Sequence, residues 1–155
     1  MNRTLTDAFP REQQASLLGF LRDGPIGPPG LAIAAAGSSA AKASAFDYRV
    51  NGKIYAKAAQ AAISLVTLGV VAAGKSSAVF LVIDAAGNVT MSPVAPDEAG
   101  DIVVPDPGEG ACLFGAVKVA NGAATAFTGG TTALDAASVT ATYYNLSGVI
   151  PGESL

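Results

Sequence analysis

The chain has 155 residues, half of them hydrophobic and only 14 % charged, with 18 Gly, 9 Pro, one Cys, no Trp and no His. That length suits one domain with a buried core, and low charge with high hydrophobicity excludes a disordered chain. Without histidine a Ser-His or Cys-His nucleophile pair is excluded and the commonest metal ligand is missing.

In chain order, residues 1–45 read as an arm. Asp7 caps and Pro10 opens one short helix, and Leu17, Leu18 and Leu21 give it a partial apolar face before Asp23-Gly24 ends it. The stretch GPIGPPGLA, residues 24–32, holds three Gly-X-Y triplets, too few for a collagen helix. Pro25, Pro28 and Pro29 instead predict a stiff polyproline-like spacer, advancing about 3.1 Å per residue, between the arm and a body at 46–155.

The body opens with FDYRVNGKIYAKA, in which Asn51-Gly52 separates two strand-like runs and predicts a type I′ hairpin. A two-residue loop pairs Val50 with Lys53, Arg49 with Ile54 and Tyr48 with Tyr55, so Phe46, Tyr48, Val50 and Tyr55 share a face. Residues 58–74 form an uncharged run of membrane-like composition, but its Ile, Val and Thr content and interior Gly69 favour buried sheet over a spanning helix. A second hairpin follows, with Ala78–Ile83 buried on both faces and a type I turn at Asp84-Ala85-Ala86-Gly87. A long Pro/Gly/acid-rich loop then carries a short strand at Ile102–Val104.

A third hairpin is predicted around Asn121-Gly122, with Val117 and Val119 sharing a face with Ala124 and Ala126, and Lys118 opposite Thr125. TTALDAAS reads as one helical turn, and SVTATYYNL as a last strand alternating Val139, Ala141 and Tyr143 against Thr140, Thr142 and Tyr144. Strands at this spacing specify an all-β fold, an antiparallel β-sandwich or jelly-roll-like barrel.

The candidate chemistry is sparse. Gly69, Gly74, Lys75 and Ser76 satisfy G-x-x-x-x-G-K-S, but a phosphate loop must open a helix, and the strand at 79–83 leaves no room for one. The acids Asp97, Glu98, Asp101, Asp106 and Glu109 share a loop without EF-hand spacing, so they read as solvated rather than as a calcium site. Cys112 lies in an apolar run and reads as a buried, inert thiol. No catalytic residue, cofactor or metal is expected, and MNRTLTDAFPREQQ has no apolar core of a secretory signal.

Charge is divided along the chain. Residues 1–77 hold eight of the nine basic residues against four acids, a net +4, and residues 78–155 hold one against eight, a net −7. With the chain acidic overall and no Arg/Lys stripe, nucleic acid is not an expected partner, and neither is a membrane.

Three segments, FDYRVNGKIYAKAA (46–59), VFLVIDAAGNVT (79–90) and LFGAVKVANGAATAFTGGTTALDAASVTATYYNL (113–146), resemble the small Ala/Gly/Thr-rich virion proteins of tailed bacteriophages, particularly head decoration (cement) proteins. The resemblance implies a non-enzymatic structural protein, made in the host cytoplasm. It would bind the outside of an assembled capsid, commonly as a homotrimer, with the major capsid protein as partner. On that reading Phe9, Leu17, Leu18, Leu21, Pro25, Pro28 and Pro29 belong to a capsid-docking arm, and Tyr48, Tyr55, Tyr143 and Tyr144 pack the sheet or the trimer contact. A tail, baseplate or fibre-attachment subunit, or a surface carbohydrate-binding module, is the alternative.

Overall fold

The computed structural model describes residues 23–94 and 102–147. The expected helix with Phe9, Leu17, Leu18 and Leu21, and the acids Asp97, Glu98 and Asp101, lie outside those residues. The strands are β1 (Gly24–Pro25), β2 (Ala32–Ile33), β3 (Ala40–Ala43), β4 (Phe46–Val50), β5 (Lys53–Lys57), β6 (Gln60–Ser64), β7 (Val70–Val71), β8 (Lys75–Asp84), β9 (Val89–Val94), β10 (Ala111–Asn121), β11 (Phe127–Thr128) and β12 (Val139–Asn145). One 3-10 turn, Val66–Leu68, joins β6 to β7.

All pairings are antiparallel. A four-stranded sheet of order β12-β10-β8-β9 forms one layer, and three small sheets, β1-β4-β5, β2-β3-β6 and β11-β7, pack on its inner face. The fold is therefore all-β and sandwich-like. The inner core joins Leu81, Ile83, Cys112 and Phe114 of the large sheet to Leu31, Phe46, Tyr48, Val50 and Ile63. It continues through Val79, Val117 and Val119 to Leu65, Leu68, Val71 and Phe127. Ala78, Phe80 and Val82 point the other way, under Ile102, Val104 and Leu146. Two covered faces explain why β8 reads as an unbroken apolar run rather than an alternating one.

The first hairpin has the expected register, with Val50 opposite Lys53 and Tyr48 opposite Tyr55. Its turn has φ of 52° at Asn51 and 73° at Gly52, the two left-handed residues a type I′ turn requires. The Tyr48 and Tyr55 rings stack with centroids 5.5 Å apart. The second hairpin also turns as expected: Gly87 N–H donates to Asp84 O at 3.0 Å, and the Asp84 carboxylate accepts from the Ala86 and Asn88 amides. These bonds, led by that from the Asn88 side chain, hold the Asp84 carboxyl below its ordinary range.

The third hairpin does not form. β10 runs to Asn121 between β8 and β12, so Lys118 lies opposite Ala78 and Thr142 rather than Thr125. Asn121 is 2 % exposed, and its side chain bonds three backbone groups. Its Nδ2 donates to Val71 O at 3.0 Å and to Thr125 O at 2.9 Å, while its Oδ1 accepts from Ala123 N–H at 3.1 Å. An Asn turned inward to hold loops together is unavailable for a left-handed hairpin turn. Phe127-Thr128 accordingly leaves β10 and pairs with β7. Residues 131–138 form successive turns in place of the expected helical turn, tied to residues 37 and 38 through the Asp135 carboxylate and Leu134 N–H.

The proline-rich stretch is part of the body rather than a spacer before it. Pro25 is buried and lies opposite Tyr48 at a sheet edge, where a residue without an N–H fits. Pro29 is buried and its carbonyl accepts from Ser44 N–H at 2.8 Å, whereas Pro28 is exposed. Leu31 N–H donates to Asn145 Oδ1 at 3.1 Å. Its side chain covers Gly115 so closely that a Cβ there would collide with Leu31 Cδ1. The sheets thus begin at Gly24, and the expected division at 45/46 runs through them. β10 accommodates the overlay through a bulge at Phe114, between the pairs Leu113–Val82 and Gly115–Leu81. The bulged Phe114 ring stacks on Phe46 at 5.1 Å.

Candidate interaction surface

The tyrosines expected to pack sheets divide by depth. Tyr48 is 1 % exposed, and its hydroxyl donates to Asp84 O at 2.9 Å, fixing the first hairpin against the turn of the second. Burial, with the nearby Cys112 and Asp84, raises its pKa. Tyr55, Tyr143 and Tyr144 are half-buried: Tyr143 contributes to the inner core and Tyr144 to the outer face of the large sheet. Burial first, then the charge of Asp135, raises the Tyr143 pKa.

The prominent surface groups are aliphatic. Ile26 is 57 % and Ile54 66 % exposed, and both belong to the solvent side of the β1-β4-β5 sheet, where Asp47 and Arg49 alternate with buried Phe46, Tyr48 and Val50. Beside Ile26 an open groove of about 420 Å³ runs between Ala45, Asp47, Ala56 and Lys57. Lys57 Nζ donates to Gly87 O at 2.7 Å, so this cation is engaged in holding two hairpins together. Val66, which opens the 3-10 turn, and Val70, which opens β7, are 65 % and 69 % exposed. The run 58–74, expected to be buried sheet, is instead two short strands, β6 and β7, around the 3-10 turn, with Ile63, Leu65, Leu68 and Val71 buried and most other side chains exposed. Apolar residue type alone does not mark these aliphatics as exposed; the packing does, because the small sheets bury only the face turned to the large sheet.

No phosphate loop is present. Gly69 and Gly74 have φ of 70°, Gly74 N–H donates to Asn121 O at 2.7 Å, and β8 begins at Lys75, so no helix N-terminus is there to hold an anion. Asp106 accepts from Gly108 N–H at 2.9 Å within its own loop. Among the described residues no three Cys, Asp or Glu side chains group as a metal site, and no helix is long and apolar enough to cross a membrane. No known protein family, curated protein or solved structure matches the chain.

Cys112 is 1 % exposed, and burial, with the charge of Asp23, pushes its thiol up to about 12. An unfolded thiol titrates near about 8.5, so between these values the unfolded chain loses a proton that the folded one keeps. Stability is therefore expected to fall as pH rises from about 8.5 toward about 12. Denaturant midpoints of the wild type and Cys112→Ala across that range check this, the variant showing a smaller decline. A decline of equal size would remove Cys112 as its cause.

Proposed function

We propose that this protein is a structural subunit of a virus particle: a head decoration subunit, seated as a homotrimer on the outside of a phage head and strengthening contacts between major capsid subunits. The observation that carries this reading is the placement of large exposed aliphatics, Ile26 and Ile54 on one small sheet and Val66 and Val70 beside another, around a hairpin body. Several weak apolar contacts multiplied over three subunits give strong attachment to a repeating lattice without a deep pocket. The segments resembling cement proteins supply the paired β4–β5 and β8–β9 hairpins and β10 to β12, the rigid part of such a subunit. Residues 1–22, with Phe9, Leu17, Leu18 and Leu21, serve as the docking arm.

Co-sedimentation with purified phage heads tests this. The full chain is expected to pellet with expanded heads, and a chain lacking residues 1–22 to stay in the supernatant. Ile26→Ser with Ile54→Ser should weaken attachment while changing folding stability by less than about 1 kcal/mol, as surface substitutions do. Failure to bind heads of any form overturns the assignment, and binding to tails alone moves the subunit there.

A further inference from the structure

We propose that β12 pairs with β12 of a second copy of this chain, antiparallel about a two-fold axis at Thr142, joining two four-stranded sheets edge to edge. Strand order leaves β12 at one margin of the large sheet, with no described strand on its outer side. The opposite margin, β9, carries Pro93, a residue that blunts an edge. β12 has no such protection: its seven residues, VTATYYN, contain no Pro and no charge, and its register with β10 runs without a bulge. A long, unblunted edge of strongly β-forming residues invites a partner strand.

The backbone is set for that partner. Gly122 N–H donates to Ser138 O at 2.8 Å and Leu146 N–H to Phe114 O at 3.2 Å, in the same ladder as the β10–β12 pairs. In an antiparallel ladder hydrogen-bonded pairs alternate, so the even-numbered residues of β12 bond toward β10. Ala141 and Tyr143 therefore direct N–H and C=O outward. A two-fold axis at Thr142 places Ala141 of one copy opposite Tyr143 of the other, where the two exchange both bonds.

The side chains suit a copy of themselves. The same axis puts Ala141 against Tyr143 and Thr140 against Tyr144, small against large on each face, with Thr142 meeting its own kind. Isologous contacts bring identical surfaces together, so any charge near the axis would meet a like charge. No charged residue occurs between Asp135 and Glu153. Thr140 and Thr142 are exposed, and Tyr143 and Tyr144 only half-buried, in the single chain. This two-fold contact goes beyond the head-surface reading and does not depend on it; on a shell it would tie neighbouring trimers together.

Native mass spectrometry and light scattering of the full chain are expected to show an even number of copies: two, or six where a threefold contact also forms in solution. Thr142→Lys sets ammonium groups across the axis, each beside the in-register Lys118, and should halve the mass with at least about a tenfold weaker association. Mixing Thr142→Lys with Thr142→Glu should restore the even mass, each two-fold contact joining one chain of each kind. On the wild type, amide exchange at Ala141 and Tyr143 should slow as protein concentration rises, a readout that needs no variant. A monomeric or three-copy wild type overturns the proposal, as does concentration-independent exchange at those amides or an unchanged mass for a folded Thr142→Lys chain.

Discussion

Replacing Asn121 by Ala is expected to lower stability by about 2–4 kcal/mol, and replacing it by Asp by at least about 1 kcal/mol more. The Ala variant takes one bond each from the carbonyls of Val71 and Thr125 and from the N–H of Ala123, all made by the amide of this 2 % exposed side chain. A buried group left without its partner costs about 1–3 kcal/mol, reduced wherever water can enter. The Asp variant keeps the shape and reverses the chemistry. An ionised carboxylate only accepts, so it faces two carbonyl oxygens it cannot bond, and it must be desolvated or protonated to stay inside. An Asn-Gly hairpin turn would behave oppositely, since Asp-Gly serves almost equally well there. Guanidinium unfolding of the three proteins decides it, and an Asp variant within about 0.5 kcal/mol of wild type would refute the role given to Asn121.

Phe114→Ala is expected to cost about 3–5 kcal/mol, the usual range for a fully buried ring whose surroundings cannot collapse. Phe114 is 0 % exposed, stacks on Phe46 and occupies a bulge, so the neighbouring β8 residues are committed to other partners. Leu31, held over Gly115 by its bond to Asn145, is poorly placed to swing into the void. Phe114→Leu keeps much of the volume and should lose less than half as much. Urea unfolding measures both, and a loss below about 1.5 kcal/mol for the Ala variant would show that the inner core repacks freely.

The parts of this fold legible in the sequence are those whose instructions lie close together. Asn51-Gly52 is flanked by strands it can register by itself, and Asp84 and Gly87 satisfy their turn through bonds to residues at most four positions away. Asn121-Gly122 carries the same dipeptide, yet the partner that claims its side chain, Val71, lies 50 positions away. Its local signal was the Ala-rich run after Gly122, a weak strand former beside the Val-rich run before it. Gly24–Pro25 and Ala32–Ile33 are two-residue strands, too short for any period, and only Tyr48 and Lys42 across from them make them sheet. The exposure of Ile54 follows from the same local register: paired with Arg49, it faces away from Phe46, Tyr48 and Val50 and so lies on the solvent side of the sheet.

The bond from Leu31 to Asn145 spans 114 positions, and that from Gly37 to Asp135 spans 98. On a ribosome adding about 5–20 residues per second, the early segment must wait on the order of ten seconds for these partners to be made. Until then this segment has only its local partners, the β2–β3 pairing and the bond from Ser44 N–H to Pro29 O, and Leu31 and Gly37 wait for theirs. Closure of these contacts thus waits until the chain has been made through Asn145.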